Sequence, residues 1–276
     1  MDSLDNDIVV RFASYLCSRD LVNLSLTCRR FGNKNADGLS LMEDTAKHII
    51  CNAQQDERDT LQRMADQSYI ELYSELEQYR APRVFDQLIG GLISYLGNDK
   101  SLVECTGYGS TSQTAICNHV MRSGRHYVNF TIVNNSSINI GIVRPLPNWD
   151  KKGLELFDPL SCSQNYHELL SERTERWGNS PVHHCALQIS YGGYCWSDWI
   201  RQYYEDCEWD GSEEVFFDNG DKVGMLLDFD SGTLSLYKNG HRVCVMKDGL
   251  SGEYCWTVSM WSNGESVCIE KGSIPN

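Results

Sequence analysis

The sequence predicts a mainly β protein with a helical N-terminal region: an antiparallel β-sandwich preceded by a helical bundle and a connecting helix. Three observations carry this expectation. Up to Pro82, apolar residues recur three and four positions apart, the spacing of one helix face. Beyond Gly90-Gly91, short runs alternate apolar and polar residues and are separated by turns bearing Gly, Asn and Asp. Asn239-Gly240, flanked by two such runs, is a two-residue hairpin signal because both residue types tolerate positive φ.

Residues 4 to 16 place Ile8, Phe12 and Tyr15 on one helix face with Val9 and Leu16 beside them. Ser3 or Asp5 can cap this helix, and Asp5 and Asp7 suit the positive end of its dipole. Ser18 can cap a second helix that carries Leu21, Leu24 and Cys28, with Phe31 beyond and Gly32 as its stop. A third helix is expected from about Leu39 to Cys51. Charge then dominates from Asp56 to Arg63, after which Tyr69, Leu72, Tyr73, Leu76 and Tyr79 return to helical spacing until Pro82, which cannot continue a helix. This stretch reads as a helix connecting two regions. The expected organisation is a helical domain over 1–50, a connecting helical segment over 51–84 and a β-sandwich over 85–276.

In the β region, Leu92–Leu96 and Leu102–Thr106 read as strands joined by the turn Asn98-Asp99-Lys100. From His126 to Val133, Tyr127, Asn129 and Thr131 alternate with Val128, Phe130 and Ile132. Ile138–Val143 follows and breaks before Pro145 and Pro147. Val223–Phe229, Thr233–Tyr237 and Arg242–Met246 form a meander through Asp230-Ser231-Gly232 and Asn239-Gly240, and Trp256–Trp261 and Ser266–Glu270 add two strands.

The net charge of −14 opposes a phosphate backbone, so proteins rather than nucleic acids are the expected partners. No run approaches the roughly 20 apolar residues of a membrane span. Ile8-Val9-Val10 is followed at once by Arg11, unlike a signal peptide. A cytoplasmic or nuclear location without membrane association is therefore expected. In a reducing compartment the 12 cysteines stay free and serve as small buried apolar residues.

Reactive chemistry finds little support. On a strand only His183 and Cys185 of His183-His184-Cys185 would share a face, too few ligands for zinc. Asp206-x-Glu208-x-Asp210-Gly211 opens like a calcium loop, but Phe217 stands where the twelfth-position Glu belongs. There is no G-x-S-x-G, P-loop or G-x-G-x-x-G motif. The expectation is a non-enzyme with no cofactor and no metal. From Gln202 to Asp221 the chain carries eight acidic residues (Glu205, Asp206, Glu208, Asp210, Glu213, Glu214, Asp218, Asp221) and no Lys or Arg. This reads either as a docking surface for a basic peptide or as a solvated loop.

The run GDKVGMLLDFDSGTLSLYKNG from Gly220 to Gly240, the Ser123-Gly124-Arg125-His126-Tyr127 motif, and Trp256-Thr-Val-Ser259 ahead of Trp261 together resemble the SPRY family, over roughly residues 85 to 272. The stretch from about Trp149 to Asp221 is longer than that pattern and is expected to hold an insertion or long loops. The resemblance implies a binding sandwich whose partner surface lies on loops at one end. Trp261 falls where peptide-binding members carry a pocket tryptophan. Those members follow it with Gly, whereas this chain has Ser262, and Met121 stands where they have Tyr. Tyr191, Tyr194, Trp196 and Trp199 cluster around Gly192-Gly193 in an expected loop, and Tyr108 sits between Gly107 and Gly109. Tyr108, Tyr194, Trp196 and Trp261 are the candidate partner-binding residues.

The N-terminus resembles an F-box through Leu4, Ile8, Val9, Phe12, Tyr15 and Leu16, then Arg19-Asp20-Leu21, Leu24 and Thr27-Cys28-Arg29-Arg30-Phe31. It departs from that family in carrying Asp5 where a proline usually follows the leucine. This resemblance implies docking on the Skp-type adaptor of a cullin–RING ubiquitin ligase through Leu4, Ile8, Val9, Phe12, Leu16, Leu21 and Leu24. The sandwich loops would then capture an unidentified target. The other reading is a SPRY scaffold without a ubiquitin link, its helices purely structural.

Overall fold

A computed structural model describes residues 5–35, 38–107, 112–117, 119–134, 137–160, 165–198, 204–207 (backbone only) and 215–275. The chain divides into two units, Met1–Ala81 and Pro82–Asn276.

The first unit contains α1 (Asn6–Ala13), α2 (Ser18–Thr27), α3 (Arg29–Gly32), α4 (Leu41–Cys51), α5 (Gln55–Thr60) and α6 (Tyr69–Arg80). Capping explains where several begin. Asp5 is the N-cap of α1, its carboxylate accepting from the Asp7 N–H. Ser40 Oγ accepts from the Glu43 N–H at 3.2 Å to start α4. Ser68 and Glu71 form a reciprocal capping box at α6. One core gathers Leu21 from α2, Met42, Ala46 and Ile50 from α4, and Ile70, Leu72, Tyr73 and Leu76 from α6.

The expected connecting segment over 51–84 is therefore corrected: α6 is part of the bundle. Its spacing was legible, but the surfaces it faces come from residues far away in sequence. Polar bonds fix it in place. Tyr73 Oη donates to Leu16 O at 2.9 Å, the Ser18 N–H to Glu77 Oε2 at 3.1 Å, and the Tyr69 N–H to Glu43 Oε2 at 2.7 Å. Arg80 reaches back to the buried Glu57 of α5 through two bonds of 2.7 Å, which is why a charge-rich stretch folds into the bundle.

The described residues of the second unit form fourteen antiparallel strands in two sheets. They are β1 (Phe85–Ile89), β2 (Ile93–Tyr95), β3 (Leu102–Cys105), β4 (Gln113–Cys117), β5 (Arg125–Asn134), β6 (Ile138–Val143), β7 (Val182–Gln188), β8 (Gly193–Asp198), β9 (Tyr204–Cys207), β10 (Lys222–Asp228), β11 (Thr233–Lys238), β12 (His241–Lys247), β13 (Cys255–Met260) and β14 (Ser266–Lys271). One sheet runs β1-β4-β13-β6-β7-β8-β9 and the other β12-β11-β10-β5-β14-β3-β2. Between them lies the main core, with Val128, Phe130 and Ile132 of β5 facing Ile138, Ile140 and Ile142 of β6 and Trp256 and Val258 of β13. At the β11–β12 turn Asn239 and Gly240 have φ of 50° and 84°, as the hairpin signal requires.

The stretch from Trp149 to Asp221, expected to hold an insertion or long loops, also carries strands. This stretch contributes β7, β8 and β9 to the first sheet. Ahead of them, the segment that includes α7 (Tyr166–Ser171) covers that sheet's outer face. Leu146, Trp149, Phe157, Leu169 and Trp177 pack on Ile89, Ile116, Val143 and Cys255 in a second apolar cluster. β4, β6 and β13 are consequently buried along their whole length.

Arg144, fully buried at the end of β6, ties this cover down. Its guanidinium donates to the carbonyls of Val182, Ser180, Ser251 and Glu253 at 2.9–3.0 Å and stacks 3.9 Å from the Tyr254 ring centroid. Burial holds its pKa down to about 10, so it remains the charged form at neutral pH.

Strand directions sort the connections into two ends. β13 and β3 run toward one end, so the turn at 261–265 lies there. The β7–β8 turn at 189–192, the β11–β12 turn and the approach to β10 share that end. The opposite end carries Arg144, the 119–124 segment, the β10–β11 turn and the 248–254 connection. No helix among the described residues is long and apolar enough to cross a membrane.

Candidate partner-binding surfaces

On the helical unit, the large exposed apolar residues among those described are Ile8 and Phe12 of α1, Tyr15 just after it, Val22 and Leu26 of α2, and Met64 between α5 and α6. Phe12, Tyr15 and Leu26 are 73%, 83% and 80% exposed, although this unit already has a closed core. Ile8, Phe12, Tyr15, Val22 and Leu26 are five of the twelve large exposed apolar residues in the described chain.

The sequence-derived set divides accordingly. Ile8 and Phe12 are on the surface, while Val9, Leu16 and Leu24 pack partly against the unit's own core. Leu21, at 0% exposure, is part of the helical unit's core. Leu4 lies outside the described residues. Val22 and Leu26 were missed, although they form a second i, i+4 stripe on α2 beside the Leu21 and Leu24 stripe.

On the sandwich, Trp261 is partly exposed directly after β13. The fully buried Glu265 organises its turn. Glu265 Oε2 accepts from the Trp261 and Ser262 N–H groups at 2.7 and 2.8 Å, and Oε1 accepts from the Ser137 N–H. Asn134 Nδ2 donates to Gly264 O at 2.7 Å. One carboxylate thus fixes two adjacent connections and presents Trp261 on a rigid base.

Tyr194 and Trp196 are not in a loop. They lie on β8, opposite Leu187 and Cys185 of β7, and pack partly against the sandwich core. The Lys247 ammonium sits 4.8 Å from the Trp196 ring centroid. Tyr191, in the preceding turn, is instead 71% exposed, and Phe216 ahead of β10 is 53% exposed. Both belong to the Trp261 end. Met121 is buried, bridged to Tyr254 at the opposite end, and shares no surface with Trp261. Tyr108, Trp199 and the part of the acidic stretch from Glu208 to Glu214 lie outside the described residues, as does most of the calcium-like loop. Of the acidic residues within the description, Asp218 is exposed. Asp221 accepts from Asn239 Nδ2 at 2.8 Å and the Asp218 N–H at 2.9 Å, and pairs with Lys238 at 3.3 Å. Those bonds hold its pKa down against the opposing effect of burial.

His183 and His184 belong to no cluster of three or more ligating side chains among the described residues. A register irregularity between Val182 and His184 breaks the alternation of β7, and Cys185 faces the sandwich core. His183 lies against Tyr166, ring centroids 5.8 Å apart, and burial pulls it down to about 4 despite the opposing charge of Asp198. Burial takes His184 to about 3. None of their four ring nitrogens has a hydrogen-bond partner among the described residues. No group of three or more ligating side chains occurs among the described residues.

No protein-family model matches the chain, and no curated protein matches it. Similar solved structures include the SPRY domain of human HERC1, at 16% identity and a TM-score of 0.45, over 68% of this chain and 97% of that one. The TRIM65 PSpry domain is similar at 16% identity and a TM-score of 0.42, over 69% and 90%. The carbohydrate binding module CBM66 from Bacillus subtilis is similar at 6% identity and a TM-score of 0.40, over 67% and 91%.

Proposed function

We propose that this chain is a non-catalytic protein-recognition adaptor, and specifically a substrate receptor of a cullin–RING ubiquitin ligase. In this reading the helical unit is an F-box that docks on a Skp-type adaptor. The sandwich is SPRY-like, and its Trp261 end captures a target protein. The ligase supplies all the chemistry. The observation that carries the reading is the exposure of Ile8, Phe12 and Tyr15 at α1 and of Val22 and Leu26 on α2, on a unit that has its own core. Burying such a face on a partner helix gains roughly 25 cal/mol per Å² of apolar area. Asp5, the departure from the F-box pattern, caps α1, so the helix start is held without proline.

The test is co-elution of the purified full chain with a Skp-type adaptor. The wild type forms a stable complex, and Phe12→Asp with Leu26→Asp abolishes it while leaving the melting temperature nearly unchanged. Failure of the wild type to bind, with the protein folded, would leave the scaffold without a ubiquitin link. For the sandwich, Trp261→Ala weakens target capture with little loss of stability, whereas a large stability loss would assign Trp261 to the core.

A further inference from the structure

We infer that the outer face of the second sheet is a docking seat for an extended partner segment that carries glycine two residues ahead of a large aliphatic residue. The chain's own Gly272-Ser273-Ile274, which follows β14, fills this seat in cis until a segment of the same chemistry displaces it. The inference goes beyond the adaptor and target readings and depends on neither.

Register decides which residues build the seat. Val128, Phe130, Met225, Leu227, Leu234 and Leu236 face the main core, so Tyr127 of β5, Leu226 of β10 and Tyr237 of β11 stand on the other side of the sheet. A sheet face open to water carries polar residues, as Asn129 and Thr131 of β5 do there. Tyr127, Leu226 and Tyr237 are instead buried together in an apolar cluster of their own. The two tyrosine rings meet edge to face, centroids 5.5 Å apart. Gly224, paired with Tyr237, leaves room for them: an added Cβ there would overlap the Tyr127 hydroxyl. Burial pushes the Tyr127 phenol up to about 12, in keeping with a water-poor surrounding.

What sits in the seat gives the chemistry of its occupant. Ile274 is the partly buried apolar side chain packed on the cluster. Gly272 crosses the Tyr127 ring so closely that an added Cβ would lie 2.6 Å from two ring carbons and 2.8 Å from Asn129 Nδ2. The seat therefore requires glycine over the ring and an aliphatic side chain two residues on, the spacing that brings an extended chain back to one face. No polar bond ties the segment down. Residues 272–275 make no hydrogen bond among the described residues, Ser273 is exposed, and Ile274 keeps part of its surface in water. A segment held by one side chain and one ring crossing opens easily, and a second segment of the same chemistry can replace it.

The experiment follows backbone amide signals of the isotope-labelled full chain by nuclear magnetic resonance. The probe is an acetylated peptide copying residues 271–276, added at up to about 5 mM, the range of effective concentration that a short tether supplies. In Ile274→Asp, which empties the seat, the signals of Tyr127, Leu226 and Tyr237 shift saturably, while those of Tyr191 and Trp261 stay in place. In the wild type, whose own segment competes, the same shifts need at least about tenfold more peptide. Copies of the peptide carrying Ile274→Asp or Gly272→Val move nothing. Where Ile274→Asp lowers the melting temperature sharply, Ile274→Ser is read in its place. Equal shifts in the wild type and the emptied variant overturn the inference, because the segment then does not close the seat. Shifts caused by either altered peptide overturn it too, because the seat then reads neither the glycine nor the aliphatic side chain. Absence of any shift in a folded variant overturns the seat itself. Adaptor co-elution and Trp261→Ala judge the other surfaces separately.

Discussion

Mild acid should unfold the sandwich, and the size of the effect follows from its histidines. Four of the chain's seven, His119, His126, His183 and His184, are buried in this unit. Burial lowers His126 and His183 to about 4 and His184 to about 3, and takes His119 well below its usual 6.5. Cationic neighbours oppose protonation as well: Arg83 and Lys271 face His119 and His126, and Arg144 faces His183, where Asp198 is the one opposing charge. His126 Nε2 donates to Ser123 O at 2.8 Å, a bond compatible with the neutral ring, and its Nδ1 lies 3.5 Å from His119 Nε2.

Well above pH 6.5 neither folded nor unfolded chain is protonated at these sites, and stability is unaffected. As the pH falls below 6.5 the unfolded chain takes up protons that the folded chain refuses, so stability drops until the folded values near 4 are reached. Each mismatch costs about 1.4 kcal/mol per pH unit, or about 2 kcal/mol at pH 5. Three such rings cost roughly 6 kcal/mol and His119 adds to that, against a typical total of about 5–15 kcal/mol. Asp86 and Glu253, whose pKa values burial raises, act in the opposite direction as the pH falls from their raised values to their ordinary values of 3.8 and 4.5, below which they add nothing further.

All seven tryptophans lie beyond residue 81, so their fluorescence reports the sandwich alone. Urea unfolding followed that way should show an uptake of about three protons or more near pH 5 and almost none at pH 8. His184→Leu, which removes two unpartnered buried nitrogens, should flatten the dependence by about one proton without loss of stability at neutral pH. A stability that stays flat from pH 7.5 to pH 5, or a slope unchanged by His184→Leu, would refute the reasoning.

Other outcomes are as specific. Leu21→Ala should destabilise the helical unit by about 2–5 kcal/mol through a core cavity, whereas Phe12→Ala should change its stability by under about 0.5 kcal/mol; helical circular dichroism on heating distinguishes the two. At Gly141 an added Cβ would overlap the Cys185 carbonyl oxygen of the paired strand, so Gly141→Ala should cost about 1–3 kcal/mol or more in urea unfolding. Arg144→Met removes four charge-assisted bonds and leaves buried carbonyls behind, for a loss of about 3 kcal/mol or more and earlier proteolysis within 145–181. Glu265→Gln, which accepts fewer N–H bonds, should cost about 1–2 kcal/mol and raise hydrogen exchange at Trp261 and Ser262.

Local chemistry made the last five strands readable. β10 to β14 alternate inward and outward residues, and Gly232 and Asn239-Gly240 supply the positive φ their turns require, so these boundaries depend on neighbours in sequence. β7 and β8 lack that signal. Val182–Gln188 is buried on both faces beneath the 145–181 cover and does not alternate, and the aromatic residues after Gly192 resembled a loop although they form an ordinary paired strand.

For the candidate surfaces, periodicity identified which residues of α1 and α2 are apolar, but not which stripe turns inward. That choice is made by α4 and α6, which bury Leu21 and leave Phe12, Val22 and Leu26 outside. Likewise the residues of the Trp261 end are distant in sequence, and strand order alone carries Tyr191, Phe216 and Trp261 to a common end. Composition and spacing determined the two-part architecture, the apolar positions of the helices and the meander because each rests on neighbours a few residues apart. The cover over the first sheet, the buried histidines and the membership of each surface were decided by tertiary packing, because burial belongs to residues that meet only once the chain has folded.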